Sequence, residues 1–171
     1  MLHHFLNVKL TNIILFTGLI GVHSLLRWAI LILLIGNISR NFLNKDKPFS
    51  AEDRSWSLRL LIITHINLVI GLIQYFFGGK GFAFVKTYGM AEVMKNSVMR
   101  FWVVEHITGM LIAVVLITIA NSVSKKVTDN DTAKHSKLMW LYIAALVIII
   151  AVIPWPFRQA FSDMPWVRGL Y

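Results

Sequence analysis

Residues 58–77 read LRLLIITHINLVIGLIQYFF, a run in which Arg59 is the only charged side chain. At about 1.5 Å of rise per residue this length covers roughly 30 Å, the thickness of a bilayer's hydrocarbon core. A segment that long with almost nothing to place in water is most stable as a membrane helix, because a helix satisfies its own backbone donors and acceptors in lipid. Working outward, stretches 12–36, 101–120 and 138–155 have the same character. Of the 171 residues, 57% are hydrophobic and 15% charged, whereas a soluble domain carries about 25% charged residues. The first stretch is too long for a signal-peptide core and contains Arg27, so it is expected to persist as a helix.

Four closely spaced spans predict one all-α domain over residues 1–171, an up-down-up-down transmembrane four-helix bundle. Both ends then lie on one face, side A, and loops 37–57 and 121–137 lie on side B. Pro154 and Pro156 in IPWPF should stop the last helix. The tail from Phe157 to Tyr171 mixes aromatic and charged residues and reads as a short interfacial segment. Side B carries nine basic residues near the spans (Arg40, Lys45, Lys47, Arg54, Arg59, Lys125, Lys126, Lys134, Lys137), and side A seven (Lys9, Lys80, Lys86, Lys95, Arg100, Arg158, Arg168). That excess points side B toward the cytoplasm. Trp56 and Trp140 at side B, with Trp102 and Trp155 at side A, fit interfacial anchors. Residues 78–100 begin GGKG and mix apolar with basic residues, as a lid over side A would.

Several chemistries are excluded. Without cysteine there is no disulfide, thiolate metal site or covalent heme attachment. The net charge of +9 sits in short loops beside apolar spans, which suits anionic headgroups and not nucleic acid. No phosphate-binding loop, HExxH or nucleophile elbow is present, and no residue is assigned as catalytic.

The histidines are the chemically informative feature. His3 and His4 lie in an N-terminal turn, while His23, His65, His106 and His135 are spread one per helix, the last just before helix 4 at a rim with Lys134 and Lys137. Polar groups in hydrocarbon need partners. Imidazoles on two facing helices are suited to ligating the iron of a b-type heme. Two such side chains and their iron bonds need about the diagonal of a square bundle, roughly 12 to 14 Å. This pairs His23 with His106, and His65 with His135. Depths counted along the helices mismatch by about 8 and 12 Å for the two pairs. Gly109, one turn after His106, would open a notch for a macrocycle. Arg27 could hold a heme propionate, as could Arg100 at the side A edge. Thr64, Asn67, Gly71 and Gln74 form a polar seam on helix 2 that could bond a neighbouring helix or a quinone head. Histidines serving only as interhelical bonds in a heme-free structural or assembly subunit are the competing reading.

HSLLRW at 23–28, THINLVIGLIQYF at 64–76, MKNSVMRFWVVEH at 94–106, KHSKLMW at 134–140 and IPWPF at 153–157 resemble a small bacterial membrane family labelled cytochrome b or b561-like. That resemblance covers nearly the whole chain. It implies one or two bis-histidine hemes b with His23, His106, His65 and His135 as metal ligands. It also implies electron exchange with a quinone, a redox partner protein or a larger respiratory complex, and location in the bacterial inner membrane among lipid. A quinone-linked oxidoreductase subunit is the enzymatic form of this expectation.

Overall fold

The computed structural model describes the backbone of residues 2–167 and the side chains of residues 14–167. The side chains of His3, His4 and Lys9, and residues 168–171 with Arg168, lie outside the described residues. The elements are α1 (Leu2–Leu43), α2 (Ala51–Phe77), α3 (Phe82–Tyr88), α4 (Met90–Lys95), α5 (Ser97–Arg100), a π-helical turn (Phe101–Glu105), α6 (His106–Lys125), α7 (Asp131–Val152) and a 3₁₀ turn (Gln159–Phe161). No strand occurs among the described residues. Four helical stretches are long and apolar enough to cross a membrane, as expected.

The helix ends differ from the apolar boundaries. α1 runs on to Leu43, α2 begins at Ala51, α6 reaches Lys125 and α7 begins at Asp131. Apolarity marks only the part of a helix in lipid, whereas hydrogen bonds and ion pairs carry it beyond. Before α2, Ser50 donates from its N–H (3.0 Å) and Oγ (2.6 Å) to Asp53 Oδ2, and the Asp53 N–H returns a bond to Ser50 Oγ at 3.1 Å. This reciprocal cap satisfies donors that a helix start leaves open. Asn130 caps α7 by accepting from the Ala133 N–H at 2.8 Å. At the other end α7 stops at Val152, before the expected 155, and Pro154 follows two residues on. The residue before a proline is pushed out of the helical region, and Ile153 accordingly has ψ 135°.

The chain divides into two compact units. One comprises residues 1–26, 69–104 and 154–171. Within it the Gln74 Nε2 donates to the Leu19 carbonyl at 2.9 Å, and the Tyr75 hydroxyl to the Val103 carbonyl at 3.2 Å. Phe161 is buried with its ring centroid 4.6 Å from that of Phe101. Residues 78–100, expected as a lid, form a glycine-rich turn and the short helices α3 to α5 of this unit. Gly81, at φ 64°, turns the chain where a side chain would be strained.

The other unit, residues 27–68 and 105–153, is a four-helix bundle built from parts of α1 and α2 with α6 and α7. Its buried seams follow heptad-like spacing: Asp53, Ser57, Leu60, Thr64 and Asn67 on α2, and His135, Leu138, Tyr142, Ala145 and Ile149 on α7. Polar residues face inward, while Ile32, Ile62, Val115 and Val147 are exposed. This inversion of the soluble pattern suits lipid, where large aliphatic side chains lose nothing by facing outward and small or hydrogen-bonding ones hold helices together.

Candidate functional site

The bundle unit holds three of the four span histidines. His106 opens α6, and its Nδ1 lies 2.7 Å from the Val152 carbonyl at the end of α7. A carbonyl only accepts, so Nδ1 carries the proton. Even a continuing helix would give that carbonyl no donor, because the position four residues on is Pro156. His106 therefore caps α7 from the neighbouring helix. Three residues later Gly109 receives the Val152 side chain: a Cβ at 109 would lie 2.6 Å from Val152 Cγ1. The expected macrocycle notch is thus a helix-packing notch.

His135 departs from its expected position. It lies within the second turn of α7, wholly buried, and not at a water-facing rim. Its Nδ1 is 2.9 Å from Asn41 Oδ1 on α1, and its ring packs at 5.0 Å against Phe49. Asn41 Nδ2 donates to the Asn37 carbonyl at 2.8 Å, which fixes Oδ1 as the group facing the imidazole. His135 Nδ1 is then the donor, and its buried Nε2 is an acceptor with no hydrogen-bond partner.

His65 is half-buried and its Nδ1 donates to the Leu61 carbonyl of its own helix at 2.9 Å. It opens onto a groove of about 540 Å³ lined by α2 and α6, with Lys126 and Lys137 also in its wall. His135 does not line this groove. The Tyr142 hydroxyl donates to Ser57 Oγ at 2.8 Å and fixes the relative level of α7 and α2. From that contact His65 lies eight residues toward side A and His135 seven toward side B, an axial separation of about 22 Å. Two nitrogens on one iron are only about 4 Å apart. The structure therefore does not bring His65 and His135 together as a heme pair.

The interior between these levels is filled by Leu60, Ile117, Leu138, Tyr142 and Ala145, each no more than 1% exposed. Ser57 Oγ in turn lies 3.5 Å from Asn121 Oδ1, linking α7, α2 and α6 through one hydroxyl. A porphyrin does not fit in that packed layer. Among the described residues no group of three or more His, Cys, Asp or Glu side chains gathers to hold a metal ion.

The remaining expected site residues have definite surroundings. In the first unit, His23 sits in the notch of Gly71, where a Cβ would lie 3.1 Å from its Cε1. With Gln74 bonded to Leu19, two of the four seam residues on α2 serve contacts with α1. Thr64 and Asn67, in the bundle unit, are buried with Oγ1 and Oδ1 lacking hydrogen-bond partners. The guanidinium of Arg27 lies 5.5 Å from the Trp28 ring centroid. Arg100 donates from Nη1 to the Met94 carbonyl at 3.1 Å, tying down the end of α4.

A rim cluster escaped sequence reading. Arg40 donates from Nε (3.1 Å) and Nη2 (2.8 Å) to Asp53 Oδ1, and from Nη1 to Glu52 at 3.0 Å. Its signal was the Ser50-x-x-Asp53 spacing, which marks a helix start. Asn37 likewise donates to the Trp56 carbonyl across α1 and α2 at 3.3 Å, and the Trp56 ring packs against Gly36. No protein-family profile, curated protein or solved structure matches the chain.

Proposed function

We propose that this chain is a heme-free structural subunit of a larger membrane assembly, supplying a rigid four-helix scaffold. The observation that carries this reading is the closed interior of the bundle unit. Its histidines make structural bonds to the Val152 carbonyl, Asn41 and the Leu61 carbonyl, and the layer between His65 and His135 is packed with side chains. Imidazoles in hydrocarbon call for hydrogen-bond partners, and these bonds satisfy the Nδ1–H of each of the three rings without iron.

A second reading, a b-type cytochrome passing electrons to or from quinone or a respiratory complex, is favoured by the same His106 contact. Metal-ligating imidazoles commonly donate the other ring N–H to a carbonyl, which leaves Nε2 as the basic nitrogen. His106 has that arrangement with Val152. If heme is bound, it supplies reversible one-electron chemistry at iron, and the Nδ1–H tautomer that His106 shares with His65 and His135 is the one that leaves Nε2 for a metal. Mild extraction of the full chain from a heme-competent host, followed by a reduced-minus-oxidised spectrum and pyridine hemochrome assay, separates the two. The scaffold reading expects no stoichiometric heme. About one heme per chain, lost in both His23→Ala and His106→Ala, would replace it with the cytochrome reading.

A further inference from the structure

The His65 groove of the bundle unit has no part in the interhelical contacts described above. Its wall consists of His65 and Leu68 on α2, Lys137 on α7, and a face of α6 from Leu111 to Val123 with Lys126 just past the helix end. That face includes Val114, Val115 and Ile119, and Val115 is 56% exposed. Thr118 and Ser122 also line it, but their hydroxyls donate to the Val114 carbonyl (2.7 Å) and the Thr118 carbonyl (3.0 Å). The middle of the groove therefore presents apolar surface. Polar character returns at the side B end, where Lys126 and Lys137 line the wall and no carboxylate does. Nearby Lys134 has a different assignment, donating to the Lys126 carbonyl at 2.8 Å and lying 3.8 Å from the Phe49 ring centroid.

From Leu111 to Lys126 the groove follows α6 and its C-terminal end over fifteen residues, about 22 Å. Half of a bilayer including its headgroups is about 20 to 22 Å thick. A groove one leaflet deep, mostly apolar with the His65 imidazole toward its inner end and closed at the headgroup level by two lysines, matches a particular amphiphile. We propose that it holds an anionic phospholipid of the side B leaflet, with the phosphate between Lys126 and Lys137 and one acyl chain along Val123, Ile119 and Val115 toward Leu68. A zwitterionic lipid fills the same apolar wall but gains less from two ammonium groups. This site is independent of whether the chain binds heme.

The test uses the full chain reconstituted in vesicles of mixed phosphatidylcholine and phosphatidylglycerol, released into mild detergent and examined by native mass spectrometry. A basic residue near an anionic surface contributes on the order of fivefold in affinity, so the two lysines together should favour phosphatidylglycerol about thirtyfold. Lys126→Gln and Lys137→Gln should each reduce that preference about fivefold. Lys86→Gln, an exposed lysine on α3, should leave it unchanged. Val115→Trp, which fills the groove and keeps both lysines, should lower retention of both lipids. Equal retention of the two lipids by the unaltered chain would overturn the proposal. So would unchanged preference in both lysine variants, or chain dimers that take the place of lipid and disappear in Val115→Trp.

Discussion

The contact between Gly109 and Val152 offers a perturbation whose sign can be worked out. A Cβ at position 109 would meet Val152 Cγ1 at 2.6 Å, Cγ2 at 3.0 Å and Cβ at 3.2 Å, against roughly 3.5 to 4.0 Å for relaxed carbon contacts. Because the branch point is crowded together with both methyls, rotating Val152 cannot clear the space, and the end of α7 must move. Overpacking of this kind costs about 1 to 3 kcal/mol. The displacement also lengthens the His106 bond to the Val152 carbonyl, now 2.7 Å, worth about 1 kcal/mol. Replacing a helical glycine by alanine returns about 1 kcal/mol. Gly109→Ala should therefore destabilise the chain by about 1 to 3 kcal/mol. In a Val152→Ala background both γ carbons are gone, and the same substitution should be neutral or stabilising by up to about 1 kcal/mol. Unfolding in mixed SDS and mild-detergent micelles, followed by circular dichroism, measures all four members of the cycle. An equal cost for Gly109→Ala in both backgrounds would refute the notch argument. A heme-content loss in Gly109→Ala that Val152→Ala does not rescue would instead place a macrocycle against Gly109.

Two other contacts give sharp expectations. Asn41→Leu strands the buried Nδ1–H of His135 and should cost about 1 to 3 kcal/mol in the same assay, whereas adding His135→Leu should recover most of it; a double variant no more stable than Asn41→Leu alone would contradict the pairing. Ser57→Ala and Tyr142→Phe should couple by about 0.6 kcal/mol, the usual size of an interhelical bond in a membrane, and zero coupling would remove their hydroxyl contact from the list of forces holding α2 to α7.

The spans were legible because lipid selects for one simple property, an apolar run of sufficient length, and all four runs have it. Their faces were not. In a soluble helix the buried stripe is the apolar one, but here Ile62 and Ile66 face outward while Ser57, Thr64 and Asn67 face inward on the same helix. Hydrophobicity alone cannot orient such a helix. The polar seam on α2 was the exception, since Thr64, Asn67, Gly71 and Gln74 stand out against aliphatic neighbours, and its last two members do contact α1. Asn37 and Asn41 carried the same signal on α1. The diagonal pairing of His65 with His135 failed at the axial level, which depends on register. Sequence fixes register poorly when a span edge can slide by a turn, whereas the single bond between Tyr142 and Ser57 sets it.

That dependence of register on a few bonds gives the bundle unit its logic. Between helices in lipid there is no hydrophobic driving force to choose one sliding position over another, so directional contacts must do so. They occur at successive levels: Arg40 with Asp53 and His135 with Asn41 at the side B end, Tyr142 with Ser57 farther in, and His106 with Val152 at the side A end of α7. α1 is tied to both α2 and α7, α7 to α2, and α6 to α7, so shifting one helix by a turn would break bonds to others. His106 and His135 thus have sufficient reason to be in the bundle as register contacts. What this role does not use is Nε2 of His135, which is buried without a hydrogen-bond partner. An apolar side chain would avoid that cost but could not donate to Asn41, so the imidazole is retained for the nitrogen that bonds and tolerated for the one that does not.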